Sequence, residues 1–506
     1  MRTNNSIKNT ITIIINNIIN FIFLFISQTL FIKILGIEYV GLNGLFSNVL
    51  TILSLLELGI GNAIVFNLYK YISKNNKDKI KSIMFFYKKA YNYITILVLL
   101  VGLLFIPFIN LIVDVSNIDI NIYIVYILFL LSSVSSYILA YKRNIIYASQ
   151  KNYILNIVHI GYIVLLNIFQ IVLLLFTKNY YLYLIIKIIF ILLENIIISI
   201  IANKEYPCLL EKDVKDLDKR TKDDIISRVK AIFIHKLSAT VSNGTDNILI
   251  SIFLGIKTVG LYTNYNYVIK TVDSFFRSII SSTTASVGDL LVEEDYNKRY
   301  QIFKKIDFLN FWISIVTSSC LLFLMEPFIT IWIGKKYLLD HIVLIVLICL
   351  FFTSMMRSTY NIFKDGAGIW IEDKYIPVLQ ILVNIISSII LLKLIGLPGV
   401  FIGTIISNLI LWFYSFPKYV YKQTLNRPYK LYIKEIFKHI VLFIVIELII
   451  ALIMNLVVIN NLILEIIIKL VLTILISNLL LIIIYHNTEE YKYYLELLKN
   501  KMIKKA

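Results

Sequence analysis

The sequence predicts an all-α polytopic membrane protein with about 14 transmembrane helices. Of its 506 residues, 59% are hydrophobic, and the mean hydropathy is +0.81. Soluble domains are only about 45–50% apolar. Here, apolar runs of about 20 residues, the length that spans a bilayer, recur from one end of the chain to the other. An octapeptide that occurs twice further indicates two related halves.

The apolar runs are separated by short polar segments, and each run is interpreted as one spanning helix. The first is too long for a signal-peptide core and lacks a small-residue cleavage site, so we expect a retained helix. In order, the predicted helices cover residues 11–35, 40–68, 91–113, 122–147, 154–176, 181–202, 231–254, 258–285, 306–326, 341–363, 376–395, 399–421, 439–459 and 462–485.

The positive charges predict the orientation of these helices. With the N-terminus inside, 38 of the 49 Lys and Arg residues lie in inner segments and six in outer loops or at outer helix ends. Inner loops of membrane proteins carry such an excess, so both termini are predicted to be cytoplasmic. The membrane is expected to be the plasma membrane. Because this pattern accounts for the net charge of +18, we expect no nucleic-acid partner.

Two repeated features predict the domain organisation. Residues 35–42 (LGIEYVGL) return 219 positions later as residues 254–261 (LGIKTVGL), and Arg143 and Arg357 follow in matching places. Six helices per half is an even number, so the two bundles are predicted to be parallel and related by a pseudo-two-fold axis along the membrane normal. The predicted parts are a six-helix bundle (1–202), a charged cytoplasmic linker (203–230), a second six-helix bundle (231–421), a second linker (422–438), two extra C-terminal helices (439–485) and a basic cytoplasmic tail (486–506).

Charged residues inside the predicted eighth helix identify a candidate substrate site. Charges at membrane depth normally face a watery cavity or a partner. Asn266, Lys270, Asp273 and Arg277 share one face of this helix. We predict that Lys270, Arg277 and Asn266 line a central cavity and offer positive charge to an anion. The alternative is that Asp273 neutralises its two basic neighbours within the helix.

Polar residues on other helices extend this candidate cavity. The first two helices are predicted to line it with Asn43, Asn20 and Gln28. Carboxylates in membranes often relay ions, so candidates for coupling to H⁺ or Na⁺ are Asp246, Asp273 and Glu57. A structural hydrogen-bonding role is the alternative for Asp246 and Glu57.

Two arginines are candidates for a cytoplasmic gate. Arg143 and Arg357 lie near the inner ends of the fourth and tenth predicted helices. For Arg357, extension of the side chain toward the lipid headgroups is the alternative. The chain has no phosphate-binding loop, no zinc-type Cys or His spacing and no nucleophile motif. We therefore expect a transporter that uses no metal or other cofactor, rather than an enzyme.

Three stretches resemble the polysaccharide repeat-unit (O-antigen type) flippases of the multidrug/oligosaccharidyl-lipid/polysaccharide exporter superfamily. They are residues 35–42, residues 53–63 (LSLLELGIGNA) and the basic loop Lys70–Lys89. The resemblance implies alternating access and, as substrate, a glycan on an undecaprenyl diphosphate carrier. It also makes polysaccharide polymerase machinery a candidate partner. The alternatives are a cation-coupled small-molecule exporter of the same superfamily and a membrane glycan polymerase or ligase. The polymerase or ligase is disfavoured because such enzymes usually have a long outer loop, whereas the predicted outer loops here are short.

Overall fold

The structure is a computed structural model, and it describes residues 2–54, 60–113, 120–211, 213–214, 216–369, 372–373, 375–457, 459 and 461–503. All regular secondary structure in these ranges is helical. The predicted all-α class is therefore confirmed.

The helices fall into two compact units, Met1–Gly260 and Leu261–Ala506. The first unit contains α1 (Arg2–Leu35), α2 (Ile37–Leu53), α3 (Ile60–Ser73), α4 (Lys77–Leu104), α5 (Ile109–Ile112), α6 (Ile122–Tyr137), α7 (Arg143–Ala148), α8 (Asn152–Thr177), α9 (Tyr180–Glu205), α10 (Lys219–Leu254) and the start of α11 (Ile256–Ser281). The second contains the rest of α11, α12 (Thr284–Glu293), α13 (Tyr296–Trp332), α14 (His341–Gly366), α15 (Ile376–Ile395), α16 (Leu397–Ile410), a π-helical segment (Leu411–Thr424), α17 (Tyr429–Met454), α18 (Leu462–Tyr485) and α19 (Glu489–Ile503).

Eleven stretches of the described chain are long and apolar enough to cross a membrane. The polytopic membrane class is thus confirmed, whereas the predicted count of fourteen is not confirmed. The predicted spans that fall short are the second, seventh and eighth, which correspond to α2 with α3, α10 and α11. The described parts Ile37–Leu53 and Gly244–Leu254 of the second and seventh spans are apolar but shorter than 18 residues. The second and eighth spans carry most of the candidate cavity residues.

Acidic and amide N-caps explain why several helices begin well before their apolar runs. The Asn76 side chain accepts a hydrogen bond from the Lys79 backbone N–H at 3.0 Å, and Asp295 accepts one from Lys298 at 2.8 Å. Each cap satisfies a backbone donor that the helix itself leaves unpaired. As a result α4 begins 14 residues and α13 ten residues earlier than the hydropathy predicts. Helix α10 likewise begins early, at Lys219, behind the cap Asp218.

The repeated octapeptide forms a reciprocal contact between α2 and α11. Its first glycine links two helices at positive φ in both copies, +107° at Gly36 and +82° at Gly255, a conformation that favours glycine. Its second glycine permits close backbone approach. A Cβ atom at Gly41 would lie 2.1 Å from the carbonyl oxygen of Ile256, and one at Gly260 would lie 2.3 Å from that of Ile37. Since each copy contacts the equivalent residue of the other, the contact is pseudo-two-fold.

In the second unit, small residues also hold α15 and α16 together. The turn between them is at Gly396. On α16, a Cβ at Gly399 would lie 2.3 Å from the Leu391 carbonyl oxygen, and a Cβ at Gly403 would lie 2.5 Å from the Ser388 backbone nitrogen, both on α15. Such spacing of small residues lets membrane helices approach closely. The extra helix α17 packs its aromatic face on this unit, with Phe443 stacked on Phe352 at 4.0 Å.

Candidate functional site

Arg277 is held between two helices of the second unit. Its Nε and Nη2 atoms donate to the two carboxylate oxygens of Asp273, at 3.0 and 2.6 Å, one turn earlier on α11. From α14, the Ser358 hydroxyl accepts from Nη1 at 2.9 Å and the Ser354 hydroxyl from Nη2 at 3.1 Å. The ion pair with Asp273 is one of the two contacts, with Arg277 and with Lys270, that the alternative interpretation of the sequence requires.

Arg357 joins the same group of side chains through Ser354. The Ser354 hydroxyl accepts from Arg357 Nη2 at 3.3 Å, so the two guanidinium groups share one oxygen. Arg357 Nη1 donates to the side-chain oxygen of Asn408 on α16 at 2.7 Å. Its buried Nε has no hydrogen-bond partner within the described part of the chain. We refer to Asp273, Arg277, Ser354, Arg357, Ser358 and Asn408 as the arginine cluster.

The arginine cluster carries more positive than negative charge. It contains two guanidinium groups and one carboxylate, and its other three members are neutral. The side chains of Arg277 and Asp273 keep 33% and 26% of their surface exposed. Two arginines held close together by neutral oxygens favour a bound anion, because guanidinium groups form paired hydrogen bonds with phosphate or carboxylate oxygens.

Arg143 occupies the corresponding place in the first unit, with a different set of partners. Its Nη2 lies 3.0 Å from Glu194 Oε2, and its Nε and Nη2 donate to the Asn195 side-chain oxygen at 3.3 and 3.0 Å. Glu194, whose side chain is 5% exposed, also contacts His159 Nδ1 at 2.9 Å. The positive charge of Arg143 is therefore matched by a buried carboxylate.

The two arginine sites differ at one equivalent position. Glu194 follows Arg143 by 51 residues, and Asn408 follows Arg357 by the same 51. The first unit thus pairs its arginine with a carboxylate, whereas the second unit offers a neutral amide. This exchange of acid for amide is the reason why the second site retains excess positive charge.

The other predicted site residues lie at several places. On α11, Asn266 is half-buried and Lys270 is exposed. The carboxylate of Asp246 is buried on α10. Glu57 lies outside the described residues. On α1 and α2, Asn20 is exposed and donates to Asn16 at 3.2 Å, Gln28 is buried, and Asn43 accepts from the Tyr180 hydroxyl at 2.9 Å.

Several partners in these sites were not predicted from the sequence. Ser354, Ser358 and Asn408 complete the arginine cluster, and Glu194 compensates Arg143. One signal in the sequence could have identified Glu194 and Asn408. Each follows an arginine, Arg143 or Arg357, by 51 residues, and these two arginines were already recognised as a matching pair. No comparable signal marks the serines, since serine is common in membrane helices. No group of three or more His, Cys, Asp or Glu side chains suited to a metal occurs among the described residues.

Comparisons with known proteins place the chain in a family. A model of the polysaccharide biosynthesis protein family matches residues 6–285. In fold, the chain is similar to the lipid II flippase MurJ in an inward closed conformation (16% identity, 95% of this chain and 99% of that chain covered, TM-score 0.68). It is also similar to an inward-facing multidrug resistance MATE family transporter of the MOP superfamily (14% identity, 76% and 90% covered, TM-score 0.59).

A third similar structure is a mutant of the Vibrio cholerae MATE transporter VcmN (11% identity, 81% and 94% covered, TM-score 0.53). A search of curated proteins gives no significant match. The family model spans more than half of the chain, and the structural matches extend over most of it. The chain therefore belongs to the polysaccharide biosynthesis protein family and has the fold of MOP-superfamily transporters.

Proposed function

We propose that this protein is a flippase for a lipid-linked oligosaccharide. It moves a repeat unit on undecaprenyl diphosphate from the cytoplasmic to the outer leaflet of the plasma membrane by alternating access. Membership of a polysaccharide biosynthesis family supports a role in glycan assembly. The similarity in fold to a lipid II flippase extends over 95% of the chain, whereas the similarity to the inward-facing MATE family transporter extends over 76%.

The observation that carries the proposal is the excess positive charge of the arginine cluster. A diphosphate has several charged oxygens, and arginine binds such groups with paired hydrogen bonds. Ser354 and Ser358 orient Arg277 without cancelling its charge. In this mechanism the diphosphate takes over guanidinium hydrogen bonds that Asp273 accepts when no substrate is bound. Lys270, seven residues before Arg277 on the same helix face, adds a third cation.

The test begins with deletion of the gene in its host and analysis of the membrane lipids. The proposal expects accumulation of an undecaprenyl diphosphate-linked oligosaccharide that is shielded from probes added outside. Complementation with the double variant K270Q/R277Q should fail to relieve the accumulation although the protein is inserted. A matched control is E465Q/K469Q on α18, which removes another ion pair of i, i+4 spacing, 2.6 Å long, and should complement normally. Normal complementation by K270Q/R277Q would contradict the assignment.

The orientation is part of the same proposal. The excess of Lys and Arg on one side predicts that both termini are cytoplasmic. Reporter fusions at Asn75, Asp218 and Asn297 should all report a cytoplasmic position. A fusion at any of the three that reports an outer position would contradict the topology.

A second candidate is a cation-coupled small-molecule exporter, which the similarity to the MATE fold favours. The same deletion distinguishes the two candidates. If no lipid-linked oligosaccharide accumulates and the cells become sensitive to small organic cations, the exporter replaces the flippase. In either case, Asp246 and Asp273 are the described carboxylates proposed for coupling to H⁺ or Na⁺, and D246N is expected to abolish dependence of transport on the ion gradient.

A further inference from the structure

A cavity of about 680 Å³ lies beside the end of the π-helical segment Leu411–Thr424. Its lining is formed by the π-helical segment, the connection after it and the start of α17, and it contains no residue of the arginine cluster. No acidic residue is among the described residues that line it. Its basic and aromatic lining residues are Phe413, Tyr414, Lys418, Lys422, Arg427 and Tyr429.

The π-helical winding is what assembles this lining. The Leu425 backbone N–H donates to the Val420 carbonyl at 2.9 Å, five residues back, as in a π-helix. In an α-helix, at about 100° per residue, Phe413 and Lys422 would point in opposite directions. In a π-helix, with about 4.4 residues per turn, nine residues make about two full turns, so Lys422 returns to the face of Phe413. Helices of this type are rare and are frequently found at functional sites.

Buried contacts on the opposite face stabilise the winding. Pro417 has no N–H to donate to a regular α-helical ladder. The Ser415 hydroxyl donates to the buried carboxylate of Asp373 at 3.2 Å, and the Tyr419 hydroxyl donates to the Glu372 carbonyl at 2.8 Å. Phe416 is fully buried against an aromatic core. The inner face is therefore committed to packing, which leaves the outer face available for a ligand.

The outer face combines positive charge with exposed aromatic rings. Lys418 and Lys422 are exposed, and Phe413 and Tyr414 are about half exposed, at 53% and 48%. The guanidinium of Arg427 lies 4.6 Å from the centre of the Tyr300 ring, and its buried Nε has no hydrogen-bond partner among the described residues. Residues 418–438 hold six Lys and Arg against one Glu. Basic side chains at the end of a spanning helix are suited to the phosphate of an anionic lipid.

We propose that this cavity binds the headgroup of an anionic phospholipid from the bilayer leaflet at this end of the helix. Lys418, Lys422 and Arg427 contact the phosphate, and the acyl chains lie along Phe413 and Tyr414. A lipid rather than a soluble phosphate is favoured because these two rings are exposed within an element long and apolar enough to cross the membrane. A lipid bound here holds the outer face of the π-helical segment in place.

The test is titration of purified protein with phosphatidylglycerol, followed by native mass spectrometry. Phosphatidylcholine and glycerol 3-phosphate serve as comparison ligands. The variant K418Q/K422Q should weaken phosphatidylglycerol binding about 30-fold, at about fivefold per lysine. The matched control K335Q/K336Q removes two adjacent lysines that lie elsewhere, between α13 and α14, and should bind like the wild type. Equal loss in both variants, or no loss in either, would overturn the proposal.

A second measurement does not depend on variants. Phosphatidylglycerol should slow hydrogen exchange of the wild-type protein within residues 411–430, and phosphatidylcholine should not. No such protection would overturn the proposal, as would equal binding of glycerol 3-phosphate, which would show that the apolar part of the ligand is not recognised. Tighter binding of undecaprenyl phosphate than of phosphatidylglycerol at the same lysines would also overturn it, because the cavity would then serve the cargo. None of these results contradicts the proposed flippase function.

Discussion

Replacement of Gly41 by alanine tests whether the repeated octapeptide acts as a close helix contact. The new Cβ would lie 2.1 Å from the carbonyl oxygen of Ile256. A carbon and an oxygen normally approach to no less than about 3.3 Å. The start of α11 must therefore move by about 1.2 Å relative to α2, or the backbone must deform. Overpacking of this kind typically costs about 1–3 kcal/mol.

The assay is thermal unfolding of the purified protein in detergent. At roughly 2–4 °C per kcal/mol for a unit of this size, we expect the apparent Tm to fall by roughly 2–12 °C. Gly161→Ala is the matched control, because Gly161 lies within α8 and a Cβ there meets nothing within 4 Å. This control should be neutral or slightly stabilising, since alanine is the better helix former.

The reciprocal change, Gly260→Ala, should behave like Gly41→Ala, because its Cβ would lie 2.3 Å from the Ile37 carbonyl oxygen. The double variant should cost less than the sum of the two single variants, since either substitution alone already separates the helices. The reasoning is refuted if Gly41→Ala is as stable as Gly161→Ala, or if the two costs simply add.

Three further predictions concern the charged sites. Glu194→Gln should lower the free energy of unfolding by about 3 kcal/mol, because it leaves Arg143 without its carboxylate. The double variant with Arg143→Gln should recover part of this loss; if chemical unfolding shows that the costs of the two single variants simply add, the prediction is contradicted. Asn408→Glu should supply the missing carboxylate to the second site and reduce transport at least tenfold, as measured by lipid accumulation, while the thermal stability is retained. The exposed Asp218 has its pKa lowered to about 2 by the Lys79 ammonium and by hydrogen bonds from Thr221. Its stabilising contribution is present above about pH 4 and is lost as the pH falls toward 2. Asp218→Ala should therefore speed hydrogen exchange in the first turn of α10 at pH 7 and remove this acid dependence, whereas an unchanged exchange rate would argue against the cap.

Hydropathy alone locates the helices that face lipid on most sides. The predicted spans 376–395 and 462–485 coincide with α15, Ile376–Ile395, and α18, Leu462–Tyr485. Helices of this kind are apolar around most of their circumference, so their ends coincide with the ends of the apolar runs. The prediction is poorer for α4 and α13, which continue into polar sequence behind the caps Asn76 and Asp295.

The sequence itself therefore determined the helical membrane class, because bilayer insertion depends on local hydropathy. It also revealed the internal repeat, because a repeat is visible as residue identity. The partners within each site were decided by tertiary structure. Arg357 lies beside Asn408 and shares Ser354 with Arg277 only because α11, α14 and α16 pack together. The π-helical winding likewise depends on buried contacts with residues distant in the sequence, such as Asp373, in addition to the local effect of Pro417. Hydrogen bonds between helices require specific distances, and these exist only after the helices have packed.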